Sequence, residues 1–262
     1  MTVPRSYLFV PGNRPDRFAK ACASGADSVI IDLEDAVPPA ERLAARENVA
    51  RWLTAEHPVC VRINGAGTEW FRDDLAICQA PGVAGVVLPK AERVEDIEAI
   101  GAPVLPIVET ARGFWNVAPI AHSPPVQRLL FGSIDFQVDL GINGEGEELL
   151  YFRSQLVLVS RVAGLPAPVD GITTTFDSPE PVRADTQRAR RLGFGGKLCI
   201  HPKQIAPVHE CFGSTKEEAA WAKRVVEASS KAGGAAVSLD GEMIDRPVVA
   251  RALEILKQFR QP

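Results

Sequence analysis

The chain has 262 residues, 46% hydrophobic and 24% charged, with a formal net charge of −4 and a sequence pI near 5.7. That length buries a substantial core in one large domain or two small ones, and the balance is that of an ordinary soluble globular protein. The acidic sum leaves no footprint for nucleic acid, and no apolar run approaches the roughly 20 residues of a membrane helix.

The start, Met1-Thr2-Val3-Pro4-Arg5-Ser6, lacks a basic stretch followed by an apolar one, so no secretory signal is expected and the location is cytoplasmic. Ser6–Val10 is a strand stopped by Pro11-Gly12-Asn13, and Pro15 opens a helix through Ala21 that Gly25 ends. Ser28–Asp32 is a second strand, followed directly by Glu34 and Asp35 and by a helix over roughly 39–54. Pro58–Ile63 is a third strand leading into Asn64-Gly65-Ala66-Gly67, with a helix from Trp70 to Cys78 after it. Gly85–Leu88 is a fourth, closed by Pro89-Lys90 and followed by a short helix from Val94 to Ile100.

Val104–Val108 and Leu129–Ser133 form the fifth and sixth strands, the first ending on Glu109 and the second followed by Asp135. Both have apolar residues on both faces, the pattern of a buried parallel strand. After Gly141-Ile142-Asn143-Gly144-Glu145-Gly146 a long helix covers 147–163 with a broad apolar side. A weaker seventh strand (Ala167–Gly171), a helix (Pro179–Leu192) and an eighth strand (Lys197–Ile200) complete the series.

Eight strands alternating with helices at a spacing of roughly 20 to 38 residues predict an α/β fold, the (β/α)₈ TIM barrel, whose site forms at the carboxyl ends of the strands. Glu34, Asp35, Arg62, Lys90, Glu109 and Asp135 all fall there. Two carboxylates, Glu109 and Asp135, facing one cleft in a chain with four histidines suit Mg²⁺, which keeps several waters and borrows ligands from a substrate. The tail is organised differently: a helix from Lys216 to Ala232, the double glycine Gly233-Gly234, a segment with an Asp240-Gly241 hairpin turn, and a helix from Pro247 to Phe259. The expected division is a barrel over 1–213 and a C-terminal helical and hairpin lid over 214–262. Five scattered cysteines without a C-x-x-C pair are expected as reduced, buried thiols.

Seven stretches in order, Arg5-Ser6-Tyr7-Leu8-Phe9-Val10-Pro11-Gly12, Asp32-Leu33-Glu34-Asp35-Ala36-Val37, Val61-Arg62-Ile63-Asn64, Leu88-Pro89-Lys90, Glu109-Thr110-Ala111-Arg112-Gly113, Phe131-Gly132-Ser133-Ile134-Asp135-Phe136 and Gly241-Glu242-Met243-Ile244-Asp245-Arg246-Pro247, resemble the citrate lyase β-subunit-like (CitE-like) branch of the HpcH/HpaI aldolase superfamily. The resemblance spans nearly the whole chain. It implies a Mg²⁺-dependent lyase that cleaves, or forms by Claisen condensation, the C–C bond of a CoA or acyl-carrier thioester such as citryl-, citramalyl- or malyl-CoA, releasing a 2-oxo acid such as oxaloacetate. Carried over by residue, it implies metal binding by Glu109 and Asp135, and substrate binding by Arg62 (a carboxylate grip), Lys90, Gly132 and Ser133. Asp32, Glu34 and Asp35 would bond to water on the metal. Asp245 would carry a proton from a lid placed over a neighbouring subunit, in a trimer or hexamer.

Each role has a plainer alternative. Arg62 can neutralise Asp32, Glu34 or Asp35; Lys90 can pair with the same acids; and Asp245, just before Pro247, can cap the last helix. His201-Pro202-Lys203, after the last strand, could touch a substrate or a CoA phosphate but reads first as a structural loop. Gly193-Phe194-Gly195-Gly196-Lys197 is no phosphate loop, because Leu198 follows where Ser or Thr is needed. Ser133 has no G-x-S-x-G elbow. An aldolase on free hydroxy-oxo acids and an accessory subunit binding an acyl carrier are the rival functions.

Overall fold

Short runs that are apolar at nearly every position need cover on both faces, and a closed parallel barrel wrapped in helices supplies it. The computed structural model describes residues 3–233 and 235–259; Met1 and Thr2 of the chain start, Gly234 of the double glycine and residues 260–262 lie outside them. Strands β1 (Ser6–Pro11), β2 (Ser28–Asp32), β3 (Val59–Arg62), β4 (Val83–Leu88), β5 (Val104–Val108), β6 (Leu130–Phe131), β7 (Val169–Asp170) and β8 (Gly196–Cys199) pair in sequence order. β8 returns to pair in parallel with β1, with Tyr7 opposite Leu198. The eight expected strands are therefore the eight staves of a TIM barrel.

The helices between them are α1 (Phe18–Cys22), α2 (Arg42–Trp52), α3 (Phe71–Asp74), α4 (Val94–Glu98), α5 (Ala111–Trp115), α6 (Val117–His122), α7 (Ser133–Leu140), α8 (Leu150–Val162) and α9 (Pro179–Leu192). Tyr7, Ile30, Cys60, Val87, Leu105, Leu130, Val169 and Leu198, one from each strand, are buried together in the barrel core. All five cysteines are free, and four are buried. No helix among the described residues is long and apolar enough to cross a membrane.

Strand six departs from the sequence reading. The expected run Leu129–Ser133 is strand only over Leu130–Phe131. Gly132 donates to the Val108 carbonyl and its own carbonyl accepts the Phe136 N–H, so the chain turns straight from strand to helix. Asp135 consequently sits in the first turn of α7 and not in a loop after the strand.

The chain divides into two compact units, Met1–His209 and Glu210–Pro262, the division falling within α10 (Ile205–Phe212). In the second, α11 (Lys216–Lys231) packs with α12 (Arg246–Phe259) and a hairpin of β9 (Val237–Leu239) and β10 (Glu242–Ile244). Leu239 pairs with Glu242 across Asp240 and Gly241, both at positive φ (53° and 84°), the conformation a two-residue type I′ turn requires.

Candidate active site

Glu109, the residue after β5, is buried (3% exposed) under the mouth of the barrel. Its Oε1 accepts the backbone N–H of Lys90 at 2.7 Å. Lys90 follows β4 at φ 48°, a left-handed conformation uncommon for a residue with a side chain. Burial, together with the charges of Glu34 and Asp135, pushes the Glu109 carboxyl up to about 8, against the opposing pull of Lys90.

Gly132 makes this packing possible. A Cβ there would lie 2.2 Å from Glu109 Oε2 and 2.5 Å from Glu109 Cβ. The next residue, Ser133, opens α7 with its side chain buried, and its Oγ has no hydrogen-bond partner among the described residues. A Cβ on Gly171, beyond β7, would lie 2.3 Å from that oxygen. A buried hydroxyl without a partner is costly unless a ligand supplies one.

Across the barrel, Asp32 at the end of β2 is fully buried and Arg62 at the end of β3 reaches it side-on, Nε to Oδ1 and Nη2 to Oδ2, both at 2.6 Å. The same carboxylate accepts the N–H groups of Glu34 (2.9 Å) and Ala36 (3.1 Å), so it ties the turn after β2 to the arginine. Arg62 Nη1 lies 3.1 Å from Glu34 Oε2 and 3.6 Å from Asp35 Oδ2. Burial works against the Arg62 charge, but Asp32, Glu34 and Asp35 outweigh it and hold the guanidinium ionised. The Phe9 ring lies 4.8 Å below its carbon. Lys90 Nζ is bound to Glu34 Oε1 at 2.6 Å. Burial raises the Glu34 carboxyl above its ordinary range despite Arg62 and Lys90.

These residues surround a cavity of about 360 Å³. Asp32, Asp35, Arg62, Glu109, Gly132, Ser133 and Asp135 face it, with Phe9, Ile107, Phe131, Ile172 and Leu198 as apolar walls. Asp135 is half-buried. Among the described residues no three Asp, Glu, His or Cys form a complete metal cage. Two carboxylates nonetheless fit Mg²⁺, which is commonly held by one or two acids plus waters and substrate oxygens. The plainer contacts foreseen for Arg62 and Lys90, with the acids after β2, are both present.

Asp245 belongs to the second unit, where its Oδ1 accepts the Val248 N–H at 3.2 Å at the start of α12. His201 caps the turn after β8 through Nδ1 to the Lys203 N–H and stacks on Phe176 at 4.7 Å. Gly193 ends α9 at φ 99°, and Lys197 is buried with Nζ on the Gly171 carbonyl, so this stretch does not cradle phosphate. The backbone of Lys90 is the participant that the sequence reading missed. Its signal was a lysine directly after the strand-ending Pro89, but nothing in residue type announces a working N–H.

A closed parallel barrel that gathers two acids suited to a divalent cation beside a part-buried arginine is a site for metal-assisted chemistry on a carboxylate-bearing substrate. The chain belongs to the HpcH/HpaI aldolase/citrate lyase family, whose model matches residues 5–202. It is 41% identical over 274 residues to a citrate lyase subunit beta-like protein of Deinococcus radiodurans, covering 96% of each. It is 33% identical over 266 residues to a (3S)-malyl-CoA thioesterase of Cereibacter sphaeroides, covering 96% of this chain and 93% of the other. The fold matches the crystal structure of the protein CitE from Mycobacterium tuberculosis, in complex with magnesium, acetoacetate and coenzyme A, with a TM-score of 0.90 at 33% identity over 98% of each chain.

Proposed function

We propose that this protein is a Mg²⁺-dependent carbon–carbon lyase that cleaves, or forms by Claisen condensation, a 3-hydroxy-acyl thioester of the citryl-, citramalyl- or malyl-CoA type, giving an acyl thioester and a 2-oxo acid. The observation that carries it is the convergence of buried Glu109 and of Asp135 on a cavity that also holds Arg62 and the unpartnered Ser133 hydroxyl. Magnesium and coenzyme A in the M. tuberculosis CitE structure support the same class of ligands here.

Glu109 and Asp135 would hold the metal, which when bound supplies Lewis acidity toward the oxo-acid carbonyl. Arg62, fixed side-on by Asp32, would turn Nη1, which makes no hydrogen bond among the described residues but lies 3.1 Å from Glu34 Oε2, to the substrate carboxylate, and Ser133 Oγ would donate to an oxygen of the same ligand next to Gly132. Phe9, Ile107, Phe131 and Leu198 limit water around the reacting carbons. Glu34 and Asp35 order water on the metal. Asp245 would carry the proton to the α-carbon of the departing acyl thioester. The resemblance further supports a lid and assembly role for the C-terminal unit, a homotrimer or a dimer of trimers, and a cytoplasmic location.

Release of free 2-oxo acid from citryl-, malyl- and citramalyl-CoA tests the function. Turnover is expected on at least one thioester, lost in EDTA and restored by Mg²⁺. Preference for free hydroxy-oxo acids would make it an aldolase, and no turnover by the isolated chain would make it an accessory subunit. Asp245→Asn tests the proton carrier, because Asn caps a helix about as well as Asp. Turnover should fall about a hundredfold, the low end for a general acid, with thermal stability kept. Unchanged turnover would leave Asp245 only its bond to Val248.

A further inference from the structure

Three carboxylates stand around one guanidinium: Asp32 side-on at 2.6 Å, Glu34 at 3.1 Å and Asp35 at 3.6 Å from Arg62. A substrate carboxylate approaching that end of the cavity meets more negative than positive charge, which by itself opposes binding. The contact with Glu34 has an unusual form. Glu34 Oε2 lies at ion-pair distance from Arg62 Nη1 yet makes no hydrogen bond among the described residues, although the side chain is buried (5% exposed). The other oxygen, Oε1, is held by Lys90 Nζ at 2.6 Å. Arg62 therefore spends Nε and Nη2 on Asp32, while no hydrogen bond engages its Nη1.

We propose that Lys90 is a positioning residue that keeps Arg62 competent to bind an oxo-acid carboxylate, by holding Glu34 away from hydrogen-bonding the Nη1 end of the arginine. The inference rests on the assignment of Arg62 as the carboxylate grip. Without the ammonium, Glu34 turns toward the one other cation within its reach among the described residues, Arg62, and closes the remaining fork. The lysine also brings positive charge to a crowd of acids at the point where the ligand adds another. Its second attachment, the N–H bond to Glu109, comes from the backbone and does not depend on the side chain. The two functions of this one residue are thus separable by mutation.

Calorimetric titration of the whole protein with pyruvate, in saturating Mg²⁺, tests the assignment, with Mn²⁺ binding followed in parallel by electron paramagnetic resonance. Lys90→Met should weaken pyruvate binding on the order of tenfold while Mn²⁺ affinity stays within about threefold. Lys90→Arg should recover most of the loss. The decisive variant is the double mutant: adding Glu34→Gln to Lys90→Met should restore pyruvate affinity, because the competitor for Arg62 has lost its charge. A merely structural role for Lys90 predicts the opposite, a second loss on top of the first. Pyruvate affinity unchanged in Lys90→Met, equal losses of pyruvate and Mn²⁺, or no relief by Glu34→Gln would each overturn the proposal. Failure of the unmutated protein to bind pyruvate with Mg²⁺ would instead overturn the reading of Arg62 on which it rests.

Discussion

Glu109→Gln should lower thioester cleavage on the order of a thousandfold and at the same time make the metal-free protein more stable. The substitution keeps shape and an oxygen acceptor for the Lys90 N–H, and removes only the charge. Loss of one group that stabilises charge in the reaction costs about 10² to 10³ in rate, and loss of metal binding belongs at the upper end. The stability effect follows from the carboxyl being pushed up to about 8 by burial and by its acidic neighbours Glu34 and Asp135. A folded-state value raised above the unfolded one means that the folded protein binds the extra proton. The metal-free protein therefore loses stability as pH rises through the window from the ordinary carboxylate range to about 8. Glutamine abolishes that loss, so urea unfolding in EDTA at pH 7 should show a gain on the order of 3 kcal/mol. Addition of Mg²⁺ should stabilise the unmutated protein and leave the variant unchanged. Equal turnover, or a variant less stable in EDTA, would remove Glu109 from the metal site.

The barrel is legible in the sequence because each strand is a short apolar run bounded by Gly, Pro or an acid, and the repeat of eight leaves few other folds. Most of the strand-end residues follow from that frame, since counting strands places Arg62, Lys90 and Glu109 on one rim. The region around Asp135 is read less well. Leu129 to Phe136 carries an apolar run without a turn signal strong enough to place its end, yet β6 stops after two residues because the chain turns at Gly132 straight into α7. Short helices such as α5 and α6 carry too few turns for a periodic signal. The partners of Arg62 stayed open for a different reason. A guanidinium that grips substrate and one that neutralises Asp32 leave the same trace in sequence; the structure shows the second, with Nε and Nη2 both on Asp32. Asp245 is another such case, for its bond to Val248 is compatible with either of its two readings.

Gly132→Ala should cost activity nearly as much as loss of Glu109 itself, though it adds a single methyl group. The backbone does not demand glycine here, because φ −90° and ψ 73° are open to alanine. Space does. The new Cβ would stand 2.2 Å from Glu109 Oε2, 2.5 Å from Glu109 Cβ and 2.9 Å from Ile107 Cγ2. The oxygen could swing away, but the Glu109 Cβ is anchored to β5, so either the strands part or the carboxylate leaves its bond to Lys90. Overpacking of this kind costs about 1–3 kcal/mol in stability, which a domain of this size survives. The catalytic effect is larger because the displaced atom is the proposed ligand: Mg²⁺ affinity should fall at least tenfold and turnover by several hundredfold. Gly67→Ala provides the comparison. It lies in the exposed loop after β3, where an added Cβ meets nothing within 4 Å, and its turnover should match that of the unmutated protein. If Gly132→Ala folds, binds Mg²⁺ and turns over like Gly67→Ala, the carboxylate in contact with this glycine is not the metal ligand, and the site must be sought among the other acids that line the cavity.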